Sequence, residues 1–260
     1  MKLSSIGWTD YSGEALNFIH GCTPASEGCA HCYARAMYER FGLDFAPRFD
    51  ADKLARLETL RFPEYSPKRG APHKPMAFVC DTGDFFHESI PDGNLWDALD
   101  VLAARVNVTW QILTKRAVRM KGVVDEWLCR KGLTRLPDHI WLGVTVENQA
   151  RAYERIPALL ATPAAVHFVS IEPCLGPVDL TAIDCDSILA AFSWVSRVDW
   201  VIVGGESGPN RRPFDALWAL DLYAQCKSAG VPFFYKQSGA LRPGQEDELP
   251  GIGKVKEWPR

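Results

Sequence analysis

IWLGVTVENQ, residues 140–149, decides how the chain is read. Residues 140–144 are almost continuously apolar, and polarity then arrives abruptly at Thr145, Glu147 and Asn148. A strand with one wet face alternates apolar with polar residues. A short continuous apolar run fits a strand covered on both faces, as in a parallel sheet. Six other runs share the pattern: ALNFI (15–19), MAFVC (76–80), TWQIL (109–113), VHFVS (166–170), DWVIV (199–203) and VPFFY (231–235). From the second onward their starts lie about thirty residues apart. The intervals hold stretches able to form helices, GNLWDALDVLAARV and FDALWALDLYAQCKSAG among them. In the latter, Leu217, Leu220 and Ala224 share one helical face, Gly230 suits the stop, and Pro232 discourages continuation. Strand, helix and strand at this period imply repeated right-handed βαβ units. The expected fold is α/β, a complete or partial TIM-like (β/α) barrel of six to eight mostly parallel strands. It forms a single domain over 1–260, with a weakly patterned tail at 240–260.

The first interval is about sixty residues, twice the others. It has room for a cysteine-rich loop, a helix near Tyr33–Phe41 and another around Ala51–Leu60. PEYSPKRGAPHKP (63–75), dense in Pro and Gly, reads as a loop.

In parallel α/β folds the C-terminal ends of the strands form the active edge. Here each run is followed by groups that can ionise or hydrogen-bond. Cys22 follows the first, and Asp81, Thr82, Gly83 and Asp84 the second. Lys115 and Arg116 follow the third, and Thr145, Glu147 and Asn148 the fourth. Glu172 follows the fifth, Gly204, Gly205 and Glu206 the sixth, and Lys236 with Gln237 the seventh. Strand ends reach the surface in any case, so one polar residue there says little. Seven strands delivering such groups to one rim is a site-like pattern.

With 260 residues, 47% apolar and 23% charged, the composition is that of a globular protein able to bury a core without disulfides. A formal charge of −3 supplies no global attraction to nucleic acid or to anionic membrane. No leader-like apolar segment opens the chain, and no run of roughly 18 apolar residues occurs to span a membrane. Eight cysteines in such a chain point to a reducing compartment, the cytoplasm, where clustered thiols more often hold metal than pair.

Three of those thiols stand together in GCTPASEGCAHCYA (21–34), spaced C-x6-C-x2-C at Cys22, Cys29 and Cys32. The C-x2-C half lets two sulfurs face one centre, and Gly21, Pro24 and Gly28 keep the loop out of a helix. A helix starting near Cys32 would turn its N–H groups toward anionic thiolates. Three readings remain open on spacing alone. The thiolates hold three irons of a [4Fe–4S] cluster with the fourth iron free; or they hold a Cys3His zinc with His20 or His31; or they are idle thiols. Cys80 or Cys174 could complete a closed four-cysteine site.

Three cysteines at the mouth of the first strand of a (β/α) barrel resemble the radical S-adenosylmethionine (SAM) superfamily, whose usual C-x3-C-x2-C loop is three residues shorter. The runs GWTD (7–10), GCTPASEGCAHCYA, DTGDFFHESIP (81–91), LTKR (113–116), WLGVTVENQ (141–149), ERIPALLATPAAVHFVSIEPCLGPVDL (154–180) and GGESGPNRRP (204–213) look like those of a three-cysteine-motif, radical-SAM-like family of phages and bacteria. The resemblance covers about residues 6–239. It implies a barrel of the radical SAM type, a [4Fe–4S] cluster on Cys22, Cys29 and Cys32, and SAM on the fourth iron. It also implies an external electron donor and reductive cleavage to a 5′-deoxyadenosyl radical. In that scheme Asp81, Thr82, Gly83 and Asp84 receive the methionine amine, and Thr145, Glu147 or Asn148 the ribose hydroxyls. Gly204 and Gly205 allow close approach of SAM. Glu172 and Glu206 contact adenine, ribose or substrate, and Lys115 and Lys236 counter a carboxylate or phosphate.

A nucleotide or nucleic-acid substrate has modest support. Lys115, Arg116, Arg119 and Lys121 cluster after one strand, and Arg211 and Arg212 after another, as a rim for phosphates. Trp8, Phe85 and Phe86 could supply stacking faces. Two other classes compete: a zinc-stabilised barrel hydrolase using Asp81, Asp84, His87 and Glu172, and a nucleic-acid-binding protein whose metal loop is only a scaffold. A partner protein completing the site is compatible with each.

Overall fold

The computed structural model describes residues 1–181, 193–242 and 244–260. Six strands form one parallel sheet: β3 (Met76–Phe78), β4 (Thr109–Thr114), β5 (Ile140–Thr145), β6 (His167–Ile171), β7 (Trp200–Gly204) and β8 (Phe233–Gln237), adjacent in chain order. Between them run α3 (Asp92–Ala104), α4 (Ala117–Lys131), α5 (Gln149–Leu160) and α6 (Ala216–Ala229). β3 and β8 are its two edges, so this is the partial barrel. No helix among the described residues is long and apolar enough to cross a membrane.

The strands read as continuous apolar runs because both faces are buried, in two separate cores. Trp141, Phe168, Trp200, Ile202 and Phe234 face the lumen with Trp8, Met76 and Phe78. Their neighbours Leu142, Val169, Val201 and Phe233 face the helices. Lumen rings meet edge-on or tilted, with Trp8 and Trp200 centroids 6.1 Å apart. This aromatic layer closes the floor of the half-barrel.

The first expected strand is different. In ALNFI, Glu14–Leu16 form a single 3-10 turn. β1 (Ile19–His20) pairs antiparallel with β2 (Arg48–Phe49) in a separate ribbon. The apolar residues are buried as their character requires, with Leu16, Phe18 and Ile19 fully covered. Burial does not fix the pairing partner, however. The β3 edge is met instead by Tyr11, whose N–H donates to Met76 O at 3.0 Å and whose carbonyl accepts from Phe78 N at 2.9 Å. The interval between β1 and β3 holds two helices as expected, α1 (Tyr33–Arg40) and α2 (Ala51–Leu57).

The tail beyond Ala240 covers the other edge. Tyr235 N donates to Val255 O at 2.9 Å and Glu257 N to Phe233 O at 3.1 Å. An open edge strand invites unwanted pairing, and this tail blunts it. Trp258 packs on Phe234 and donates to Trp8 O at 3.3 Å, tying the two ends of the chain across the lumen.

The buried face of α6 is also corrected. It buries Ala219, Leu222 and Cys226, whereas Leu217 is 68% exposed. The helix carries apolar residues on several faces, so periodicity does not choose among them. Its stop is as expected, with Gly230 closing it in the left-handed region at φ 71°, and Asp215 caps the start.

Trp200→Ala should cost about 3–5 kcal/mol, because the rings around it are too rigid to fill the cavity. A guanidinium unfolding midpoint equal to that of the wild type would contradict this packing.

Candidate active site

The cysteine loop, residues 22–32, begins where β1 ends. Gly21 makes this possible: its φ is +69°, and a Cβ would stand 2.3 Å from Phe45 O and 2.4 Å from Ala46 O. Gly21 N donates to Thr82 O at 3.2 Å, which seats the loop start against the β3 edge. From there the loop lies against the C-terminal ends of β4, β5 and β7.

The rim residues hold it there. Glu147, fully buried after β5, accepts from Ser26 Oγ at 2.6 Å on one oxygen and from Arg155 Nη1 at 2.9 Å on the other. Lys115 Nζ stands 3.5 Å from the first oxygen. Gly28 packs so closely that a Cβ would meet Glu147 Oε1 at 2.4 Å. Asn148 caps α5 through Arg151 N at 3.1 Å and donates to Glu27. Arg151 Nη2 reaches the other Glu27 oxygen at 2.9 Å. From β7, Glu206 meets His31 Nδ1 at 3.0 Å, and it accepts from Arg212 N at 2.7 Å and Nε at 3.0 Å. Arg212 Nη1 in turn donates to Glu27 O at 3.0 Å. Thr23 is held by His87 Nε2, 2.8 Å from its hydroxyl, and by Arg116 Nη2.

Cys22, Cys29 and Cys32 are free thiols, each partly exposed. Arg116 Nη1 donates to Cys22 Sγ at 3.5 Å, and Ala25 N to Cys29 Sγ at 3.4 Å. Burial pushes the Cys22 thiol up to about 11, with Asp84 adding to it and Arg116 opposing. Among the described residues no three His, Cys, Asp or Glu side chains converge on one metal ion. Open thiols with N–H donors aimed at two sulfurs suit a cluster.

Of the proposed fourth ligands, His20, Cys80 and Cys174 are committed elsewhere, whereas His31 lies on the loop itself and meets Glu206 through Nδ1 alone. His20 is buried with Nδ1 2.9 Å from Tyr38 Oη and Nε2 3.2 Å from Lys53 Nζ. Cys80 and Cys174 are buried in the outer core.

Beneath the loop the lumen carries a second polar set. Glu172 Oε1 lies 2.7 Å from Lys236 Nζ, and Oε2 accepts from Trp8 Nε1 at 3.2 Å and Ser170 Oγ at 3.1 Å. Gly204 leaves room for this carboxylate, with a Cβ at 3.0 Å from Glu172 Oε1, and Gly205 lies against the backbone of Ser238 and Gly239. Thr145 ends β5 buried, and its carbonyl accepts from Arg155 at 2.8 Å. On the β3 side, Asp81 accepts from Asn17 at 2.6 Å, and burial pushes its carboxyl up against that bond. Tyr33 Oη donates to Asp81 O. Thr82 and Gly83 form the turn against β1. Asp84 is saturated: it accepts from Thr114 Oγ1 at 2.6 Å, Phe86 N at 3.0 Å and Arg116 Nη1 at 2.9 Å.

The residues expected as a phosphate rim are paired within the chain, and the expected stacking faces are buried. Arg119 pairs with Asp92, Lys121 with Asp125, and Arg212 with Glu206, while Arg211 donates to the Gly239 and Gly208 carbonyls. Trp8, Phe85 and Phe86 are core residues, since the floor of the lumen and the outer core need their area. A cavity of about 700 Å³ lies outside the lumen, between the start of α4, α5 and Thr23–Ala25. Lys115, Arg116, Arg119 and Arg155 line it beside Glu88, Asp92, Glu126 and Glu154, so its charges cancel. Sequence reasoning missed Arg155 and Ser26 as parts of the site, and took Trp8 for a stacking face where it donates to Glu172; nothing local marks an Arg in mid-helix as the partner of a strand-end Glu.

A parallel half-barrel with a three-cysteine loop pinned across its C-terminal edge is the class that fold and site define. Within it the chain belongs to the family described as Protein of unknown function (DUF5131), whose model matches residues 3–254. No curated protein matches the chain. Two solved structures of spore photoproduct lyase are similar at 11% identity. One, a double mutant with bound AdoMet and dinucleoside spore photoproduct, aligns over 84% of this chain and 61% of its own, with a TM-score of 0.45. The other, a single mutant, aligns over 90% and 76%, with a TM-score of 0.47. The chain thus spans about three fifths of the length of the first. Likeness at this level carries nothing about chemistry.

Glu147→Ala leaves the Arg155 charge buried without its partner and frees Ser26, at a cost of about 3–5 kcal/mol. Proteolytic cutting within residues 22–32 should rise in this variant; unchanged stability would show that the pair does not anchor the loop.

Hydrogen bonding by Arg151 is the leading cause that holds Glu27 down to about 2, from an ordinary 4.5. Its contribution is complete above pH 4.5 and is lost as pH falls through about 2. Hydrogen-exchange protection of the loop should decline across that interval, and Glu27→Gln should abolish that part of the decline. Identical profiles in the two proteins would contradict the assignment.

Proposed function

We propose that this protein is a radical-SAM-like iron–sulfur enzyme, with Cys22, Cys29 and Cys32 as ligands of a [4Fe–4S] cluster and SAM bound in the mouth of the half-barrel. When bound, such a cluster supplies one electron to the sulfonium of SAM, giving methionine and a 5′-deoxyadenosyl radical. One observation carries the reading: three free, partly exposed thiols on a single loop, held by the strand ends across the active edge of a parallel sheet.

The chain's own residues divide the work. Glu147, Asn148, Arg151, Glu206 and Arg212 keep the loop in place. The 81–84 edge, with Asp81, Thr82 and Gly83 beside the loop start, is the proposed seat of the methionine amine. Asp84 acts behind it by holding Arg116. Gly204, Gly205 and Thr145 border the space for the nucleoside. Glu172 and Lys236, joined across the lumen above the aromatic floor, are the groups proposed to meet the substrate, and the floor excludes water from below. Lys115, one side chain removed from the loop, balances the Glu147 charge. The electron comes from an external donor.

The substrate proposed is a nucleotide or nucleic acid. With the arginines of the rim already paired, its charge would be met in the lumen by Lys236, which would exchange its contact with Glu172 for the phosphate. A compact nucleotide suits that single cation better than a long polyanion, which needs many free ones.

Anaerobic reconstitution, followed by dithionite and SAM, tests the reaction class. Formation of 5′-deoxyadenosine by the iron-loaded protein is expected, and its absence from fully loaded protein would sink the proposal. Cys29→Ala and Cys32→Ala should each lose most of the iron; stoichiometric iron in both variants would refute the ligand assignment.

A further inference from the structure

Arg116, at the junction of β4 and α4, is 8% exposed and uses all three guanidinium nitrogens. Nε donates to Glu88 Oε2 at 2.7 Å. Nη1 donates to Asp84 Oδ2 at 2.9 Å and to Cys22 Sγ at 3.5 Å. Nη2 donates to Thr23 O at 3.1 Å and Thr23 Oγ1 at 3.2 Å. A planar fork is needed to reach four partners in one orientation, which a lysine ammonium cannot do.

The three thiols are therefore not equivalent. Cys22 faces a charged side chain, and Cys29 faces the backbone N–H of Ala25, with Ser26 Oγ more distant at 4.0 Å. The Cys32 sulfur receives no hydrogen bond among the described residues. Two carboxylates of unequal exposure neutralise the guanidinium: the side chain of Asp84 is 7% exposed and that of Glu88 is 62% exposed. Asp84 is the fixed structural partner, and Glu88 is the partner that solvent can weaken.

We propose that Arg116 is a positioning residue for the Cys22 corner of the cluster, fixing the sulfur and setting the reduction potential through its N–H···S hydrogen bond. This rests on the cluster reading above. Reduction adds negative charge to the sulfurs and irons. A donor and a positive charge beside one sulfur stabilise the reduced form, so the potential is less negative than it would otherwise be. Asp84 and Glu88 offset part of that charge, so their removal and the removal of Arg116 act in opposite directions.

The test uses the reconstituted full chain, with iron content measured first and the cluster midpoint then followed by electron paramagnetic resonance during a redox titration. Arg116→Gln should retain iron and move the midpoint to more negative potential. A tenfold smaller reduced-to-oxidised ratio at fixed potential corresponds to about 59 mV for one electron. Glu88→Gln, at an exposed carboxylate that the fold does not need, should move the midpoint the other way by a smaller amount. A merely structural role for Arg116 gives no such pair of opposite shifts. If Arg116→Gln does not fold because Asp84 is left unpaired, Glu88→Gln decides alone. Midpoints unchanged in the variants that fold overturn the role of Arg116 while leaving the cluster intact. A wild-type chain that takes up no iron sinks the cluster reading itself, and the tuning role with it.

Discussion

The buried pair of Glu147 and Arg155 is the constraint on which the mouth of the half-barrel depends. One carboxylate oxygen answers α5 and the other answers Ser26 of the cysteine loop. A buried ion pair gains little over a well-packed apolar pair, but it is costly to break, because the remaining charge has no water to turn to. That asymmetry makes it a good fastener. Any conformation that lifts the loop off β5 must strip one acceptor from Ser26 and open the contact at Gly28.

Around this anchor the rim is largely spent on the loop itself. Asp84, Asn148, Glu206 and Arg212 resemble ligand-binding groups when read as strand-end residues, yet each is occupied within the protein. The result is a mouth with two tiers. The upper tier is the pinned loop with its three thiols, and the lower is the lumen with Glu172 and Lys236 above a floor of Trp8, Phe168 and Trp200. A reactive species formed between the tiers would be shielded from below by these rings, with the Trp8 N–H already given to Glu172. The same division explains why the cavity beside α4 and α5 is a poor candidate for the chemistry: it lies behind the loop, and its lining charges cancel.

Much of the fold was legible because burial on both faces leaves a mark on every strand. From β3 to β8 the apolar runs lie where strands form, and the helix between β7 and β8 ends at Gly230 as its local chemistry requires. The failures share a cause. Leu16, Phe18 and Ile19 are buried as their character requires, but the ribbon partner of Ile19 is Phe49, thirty residues away, and nothing in ALNFI specifies it. The face of α6 was misread because its apolar residues do not settle on one side.

The sequence by itself determined the α/β class, the order of the strands, the rim to which their ends deliver polar groups, and the grouping of three thiols in one loop. These follow from local patterns: apolar runs, capping residues, and the spacing of cysteines. Only the tertiary structure decided which polar groups remain free to act, because that depends on partners far apart in the chain. Glu147 meets Ser26, Glu206 meets His31, and Arg116 meets Cys22 only once the sheet has curled and brought the loop across its edge. A carboxylate at a strand end looks the same in sequence whether it awaits a ligand or already holds an arginine.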